Sequence, residues 1–299
     1  MQKILMPLIF IIGIAVLAIR TVLDSRFGTG TLLYLIIPFL ISAGLYFLTK
    51  PVQGQTVGGA FVNHLRLSTI IFLTTSAFLM EGFLCVIMFM PIYYLLILFG
   101  FIFAWLFRDK SNLKSLSLPG IVLALSVEGI IPQTSFEREN TATYVTVTHQ
   151  DVETLKSNMA ADISMPSRRG WFLRLFPLPD KIKAGTLKAG DTHNLHFTYK
   201  KWGFGNFHTG EMDILISQVN ENHIQTRITK NTAYLAHYMK IEGTEVHFET
   251  LADGKTQVSL TVKYERLLDP IWYFGPMQKL AARQSAKYLV DTIITRDAL

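Results

Sequence analysis

Hydrophobic and polar positions follow two different rules along this chain of 299 residues. Up to about residue 132 the apolar residues run on almost unbroken, and from about Thr141 they alternate with polar ones at a period of two. Ile4–Ile19 and Thr31–Leu48 are two apolar runs, and Thr69–Phe107 is a third, about twice the length of one bilayer crossing at ~1.5 Å per residue. The long run must turn back. Met90-Pro91 is the expected turn, because proline breaks the helical ladder and Tyr93-Tyr94 suits a membrane interface. The pattern predicts four transmembrane helices, roughly 4–22, 31–49, 67–89 and 91–107. Met1-Gln2-Lys3 before the first run has the look of a secretory signal, but no small-x-small cleavage site follows, so an uncleaved helix is expected. Leu118–Ile131, which holds Pro119, Gly120 and Glu128, is too short to span comfortably and reads as a surface-lying or buried segment; as a fifth span it would move the C-terminal domain outside.

In the second half, Thr143, Val145 and Val147 alternate with polar residues, and Asp151 is placed to cap a short helix containing Val152 and Leu155. Leu195, Phe197 and Tyr199 alternate next, followed by Met212, Ile214 and Ile216, then Ile224, Thr226 and Ile228. Val246, Phe248 and Thr250 lead to the hairpin signal Asp253-Gly254, and Val258, Leu260, Val262 and Tyr264 continue beyond it. A long helix starting near Asp269 or Pro276 closes the chain, with Leu280, Ala282, Ala286, Leu289, Val290 and Ile293 expected on one face and Gln278, Lys279, Arg283, Lys287 and Asp291 on the other. The predicted fold is an α-helical transmembrane bundle of four helices (1–110), an amphipathic linker (111–135) and an α+β domain (136–299) whose curved antiparallel sheet wraps the C-terminal helix.

Composition sharpens this division. Half of the residues are hydrophobic and 17% are charged, which is low for a soluble protein. The net charge of +6 invites a nucleic-acid partner, but residues 133–299 hold 20 basic and 18 acidic residues with no basic stripe, so nucleic-acid binding is excluded. The excess lies in short loops. Lys3, Lys50, Arg66, Arg108, Lys110 and Lys114 fall on one predicted side of the membrane, and Arg20 and Arg26 on the other, which places both termini and the C-terminal domain in the cytoplasm. A single cysteine, Cys85, rules out a disulfide framework.

Glu81 is the one acid inside an apolar run, and it falls on one helical face with Cys85 and Met88. An ionisable group at that depth is by default a functional candidate. A soft metal ion is one reading; a protonated Glu hydrogen-bonded across the bundle, with Cys and Met as packing groups, is the other. No metal and no cofactor is assigned.

The strand entering Asp151–Ala160, the stretch Leu251–Thr256 before the last strand, and Tyr264–Leu280 running into the helix resemble the START-like helix-grip superfamily (SRPBCC, polyketide cyclase/dehydrase-like). The last stretch, with Glu81–Met88 and Val127–Gly129, is similar to membrane-associated bacterial members carrying an N-terminal helical bundle. The resemblance implies an apolar cavity between sheet and C-terminal helix, with Phe197, Tyr199, Met212, Ile214, Phe248, Tyr264, Trp272 and Phe274 as inward candidates. Such positions serve a core as readily as a pocket, and the Tyr and Trp among them bring polar ends that seek partners.

One segment stands outside the strand pattern. Between Ser167 and Pro179, Arg168, Arg169 and Arg174 interleave with Trp171, Phe172, Leu173, Leu175 and Phe176. This suits either an anionic bilayer surface or a lid over the domain's own cavity. Catalytic signatures are sparse. Seven histidines lie in the second half, but His193 and His196 fall on opposite faces of a predicted strand, and neither a nucleophile elbow nor a phosphate-cradling loop occurs. The primary expectation is a membrane-anchored binding protein for a hydrophobic small molecule or lipid, with the bilayer as partner and no oligomeric state assigned. An enzyme of cyclase, dehydratase or hydrolase type using the same cavity, or a structural or signalling membrane protein without ligand, are the alternatives.

Overall fold

The computed structural model describes residues 56–78, 83–106, 128, 136–165, 170–200 and 207–297. The chain divides into two compact units, Met1–Phe136 with Leu268–Tyr273, and Glu137–Leu267 with Phe274–Leu299.

The described part of the first unit contains α1 (Val57–Phe78) and α2 (Phe83–Leu106). Two pairs of side chains join them: Ser68 Oγ meets Tyr93 Oη at 2.7 Å and Thr69 Oγ1 meets Tyr94 Oη at 2.6 Å. Tyr93 is fully buried, so it is an interhelical strut and not the interfacial residue expected. The expected turn at Met90-Pro91 is also corrected, because Pro91 lies within α2. A proline removes one backbone donor, and a helix packed on a neighbour tolerates that loss. The first two expected helices, Glu81, and the Cys85 side chain lie outside the described residues. Counting only residues described with their side chains, no helix is long and apolar enough to cross a membrane. The backbone of α2 nevertheless runs for 24 residues without a charged one. Also within this unit, Ile271 N–H donates to Glu128 Oε1 at 2.9 Å and Tyr273 Oη donates to the Met88 carbonyl at 2.6 Å. Burial pushes the Tyr273 phenol up to about 12.

The second unit is an eight-stranded antiparallel sheet with helices on its inner side. Its strands are β1 (Glu139–Thr148), β2 (Ile163–Ser164), β3 (Pro179–Lys183), β4 (Thr192–Lys200), β5 (Phe207–Val219), β6 (His223–Asn231), β7 (Met239–Thr250) and β8 (Thr256–Arg266). The order is β1-β8-β7-β6-β5-β4-β3-β2, so the first strand pairs with the last and the chain crosses to the far edge before meandering back. The crossing element is α3 (Val152–Met159), whose first turn is capped by Asp151 accepting from Thr154 N–H at 2.7 Å. Register shifts in β3, β5 and β7 curl the sheet. At the β7 shift stands Gly243, where an added Cβ would run into the Thr226 carbonyl.

Helix α4 (Ile271–Leu289) continues into a π-helical turn, Val290–Ile294. Phe274, Gln278, Ala282, Ala286, Val290 and Ile294 are its buried line. This corrects the expected faces: Gln278 is buried, donating to the Tyr238 carbonyl at 3.0 Å, and Leu280 is 47% exposed. The carbonyls at the end of the π turn find side-chain donors, Asn158 Nδ2 on Ile294 at 2.8 Å and Gln150 Nε2 on Thr295 at 2.7 Å. On β1 the more apolar residues face outward. Val145 and Val147 lie on its outer face at 49% and 46% exposure, while Ala142 and Thr148 are the buried positions. Threonines occupy both faces of this edge strand, so its alternation carries little phase information.

Candidate functional site

The alternation of β4–β8 aims one row of apolar side chains per strand at α4, and these rows form the core. Ile216, Ile224, Val246, Phe248, Val258, Leu260 and Val262 pack with Leu155 and with Ala286, Val290 and Ile294 of the final helix and its π turn. Ile182, Leu195, Phe197 and Met212 pack with Leu173, Leu178 and Tyr288. Between these groups lies a cavity of about 110 Å³, lined among others by Met159, Leu187, Leu195, Ile214, Leu260 and Ile293. Among the described residues its polar lining is His193, Thr226 and Thr244. Those groups are occupied: the two threonine hydroxyls meet at 2.8 Å, Thr244 N–H donates to Thr226 Oγ1 at 3.0 Å, and His193 Nε2 lies 3.3 Å from the Thr186 carbonyl. The result is an apolar chamber whose few polar atoms are already satisfied.

Part of the wall is the π turn, since Leu289, Ile293 and Ile294 all line the cavity. A π turn widens the helix by one residue per turn and recurs at functional sites. Its feature here is the backbone bond from Thr295 N–H to the Val290 carbonyl at 2.9 Å.

Of the inward candidates, Ile214 lines the chamber. Phe197, Met212 and Phe248 are buried in the core groups beside it, and Tyr264 is buried in a third group with Ala142, Met239 and Ala282. Burial and the positive field of Arg266 act on Tyr264 in opposite senses; burial prevails and raises its phenol above the usual range. Tyr199 is buried and donates to the Leu175 carbonyl at 3.3 Å. Phe274 is fully buried, but Trp272 is 46% exposed, against expectation, because two helical residues separate it from Phe274 by about 200°.

The Arg/aromatic segment forms a short turn at Leu173–Leu175. Trp171 is 78% exposed while Leu173 is buried; Phe172 rests on the core and meets Phe176 at 5.1 Å between ring centres. Arg174 is exposed, and Arg168 and Arg169 lie outside the described residues. Asp180, next along the chain, accepts from His196 Nδ1 at 2.9 Å. Its partial burial raises the carboxyl, but hydrogen bonds from Thr198 and His196 outweigh this and hold it below the ordinary value.

Two arrangements escaped the sequence. One is an aromatic stack in which Tyr234 lies 4.2 Å from His208 and 5.4 Å from Tyr199. Burial, and then the nearby His237, lower the His208 imidazole. The other brings His223, Glu245 and His247 together, with one ligand atom of each within 4.8 Å of the others. The stack sets Tyr234, on the turn Tyr234–His237, against the Tyr199–His208 pair of β4 and β5, and the histidine cluster arises from the β6–β7 register, which has no local signature.

No family model matches this chain, and no curated protein matches it. Solved structures of START-like helix-grip proteins are similar to about half of it. A START superfamily protein from Mycobacterium smegmatis is 15% identical over 52% of this chain and 95% of its own, with a TM-score of 0.35. The ginseng major latex-like protein 151 from Panax ginseng is 13% identical over 51% and 99%, with a TM-score of 0.30. Ara h 8.0201 is 13% identical over 52% and 99%, with a TM-score of 0.32. The α+β architecture of residues 137–297 stands on its own strand order, curled sheet and C-terminal helix.

Proposed function

We propose that this chain is a membrane-anchored binding protein for a hydrophobic small molecule or lipid, held between the sheet and the C-terminal helix. The observation that carries the reading is the apolar chamber with its π-turn wall. An apolar cavity of roughly 150 Å³ accepts a ring the size of benzene. At about 110 Å³ the chamber suits a slightly smaller guest, and a longer chain requires side chains such as Met159, Leu289 and Ile293 to swing aside. Apolar burial gives the affinity, and the self-satisfied Thr226–Thr244 pair imposes no polar demand on the guest. Among the described residues no carboxylate lines the chamber to work with His193, so binding is favoured over acid–base catalysis.

Membrane anchoring is supported by α2, whose 24 uncharged residues reach about 36 Å, against the ~30 Å hydrocarbon core. Leu95, Leu98, Phe99 and Ile102 are exposed on it, as a lipid-facing surface requires. With Arg66 set aside as a residue of α1, Lys3, Lys50, Arg108, Lys110 and Lys114 still outnumber Arg20 and Arg26, a bias that supports a cytoplasmic C-terminal domain. The Trp171–Phe176 turn is in this account the part that meets the bilayer or covers the chamber. The test is photolabelling of the full chain in membranes with a small diazirine-bearing hydrocarbon, followed by peptide mapping. Labels on Met159, Leu187 or Ile293 support the reading; labels confined to the N-terminal helices overturn it.

A further inference from the structure

We infer that His223, Glu245 and His247 form a divalent transition-metal site on the outer face of the sheet, clasping β6 to β7. It is separate from the chamber and does not depend on what the chamber binds.

The placement follows from strand register. His223 stands directly opposite His247, and Glu245 lies two residues before His247 on the same face. The adjacent pair is joined by the bond from Phe248 N–H to the Asn222 carbonyl at 3.0 Å. His223 and His247 therefore occupy a non-hydrogen-bonded position, where opposing side chains of an antiparallel ladder stand closest. Their rings stack at 4.2 Å between centres with 24° between planes, so both imidazole edges open toward Glu245.

The donor set defines the ion. Two imidazoles and one carboxylate, without a thiolate, suit zinc, copper or nickel and not magnesium or calcium, which prefer oxygen shells. Tetrahedral zinc with bonds of about 2.0–2.2 Å holds its donors roughly 3.3 Å apart. The three donor atoms here already lie within 4.8 Å of one another, a gap that small side-chain rotations close. Three protein ligands leave a fourth position for water. Glu245 also has an outer partner, because Lys263 Nζ meets its Oε1 at 2.5 Å and leaves the other oxygen for the ion.

A separate observation marks His223 as a ligand-binding group. His223 Nε2 is buried from solvent and meets no hydrogen-bond partner among the described residues. A buried imidazole nitrogen left in that condition is costly, and an ion or an ordered water is the usual remedy.

The location gives such an ion something to do. β6 and β7 pair only over His223–Gln225 against Glu245–His247, whereas β7 and β8 pair from Met239–Arg266 to Thr250–Thr256. Beyond Gln225 the seam continues through Thr226 Oγ1, which takes the Thr244 N–H. Ile224 and Val246, between the three ligands in sequence, point the opposite way and line the chamber. The ion thus fastens the shortest long-strand seam of the sheet, directly behind the chamber wall.

The test is calorimetric titration of the metal-stripped full chain with Zn²⁺, with Mg²⁺ in parallel. One zinc per chain is expected, no magnesium, and at least about tenfold weaker zinc binding in both His223→Ala and His247→Ala, with His193→Ala unchanged. Zinc binding that survives both substitutions overturns the site, as does its absence from the unsubstituted chain. Should an alanine variant fail to fold, Cu²⁺ electron paramagnetic resonance of the unsubstituted chain decides the matter. Hyperfine structure from two imidazole nitrogens supports the site, and one nitrogen or none overturns it. Amide exchange offers a readout specific to the clasp: zinc must slow exchange in His223–Gln225 and Glu245–His247, and equal exchange with and without the ion refutes the fastening role.

Discussion

Leu260 is the sharpest place to perturb the chamber, because it is 4% exposed and belongs both to the core and to the cavity wall. Leu260→Ala removes three carbon centres, worth about 2.4 kcal/mol in transfer at ~0.8 kcal/mol per buried methylene. In a tight core the neighbours would partly collapse into the gap. Here the new void joins an existing one of about 110 Å³, so collapse is resisted. Each further kcal/mol corresponds to roughly 40 Å³ of retained void at ~24 cal/mol per Å³, and the total expected is about 3–4 kcal/mol. The assay is urea unfolding of the full chain followed by the circular dichroism of the sheet, with Leu280→Ala as control. Leu280 is 47% exposed, and its truncation should stay within about 0.5 kcal/mol. The enlarged chamber should also gain stability from added benzene by more than the unsubstituted protein does. A loss below about 1 kcal/mol for Leu260→Ala, or identical benzene responses, refutes the reasoning.

Further outcomes follow from other parts of the structure. Gly243→Ala should destabilise by at least about 2 kcal/mol in the same unfolding assay, since its Cβ meets backbone at Thr226, whereas Gly58→Ala, with open space around it, should not. Asp180 has a lowered folded value, so its contribution is present above the unfolded carboxylate range near pH 4 and is lost as pH falls through the folded value; Asp180→Asn should flatten the acid limb of a stability–pH profile. Tyr93→Phe breaks the buried bond to Ser68 and should weaken the α1–α2 pair by about 0.6 kcal/mol if it lies in a bilayer, measured by steric trapping. In a Cys85→Ser background, Thr56→Cys and Lys188→Cys should both react with an impermeant maleimide from the cytoplasmic side, and reaction of either from the outside contradicts the proposed topology.

What the sequence made legible was whatever is local. The alternation in Leu195–Tyr199 and Val258–Tyr264 shows which side chains of β4 and β8 turn inward, and Asp151 announces the cap of α3. The phase of β1 is not readable from its pattern, because Ala142, Tyr144, Thr146 and Thr148 are the more buried row while the more apolar valines face out on an edge strand. The face of α4 departs from its pattern because Gln278 looks polar but spends its amide on the Tyr238 carbonyl inside the domain. The π turn shifts the buried line again at its end, and no residue pattern announces it. The chamber itself is made by positions whose pattern is that of an ordinary core: Leu187, Leu260 and Ile293, rather than the large aromatics, carry the wall. His223 and His247 lie far apart in the chain, and only the β6–β7 register joins them.

Occupancy of the chamber by an apolar guest can be read directly. Its most direct test is mass spectrometry of molecules extracted from the purified full chain, with Val246→Phe, which crowds the chamber wall, as reference. An apolar compound should be recovered near one per chain from the unsubstituted protein and be strongly depleted in the variant. Recovery of no such compound, or equal recovery from both proteins, would contradict it.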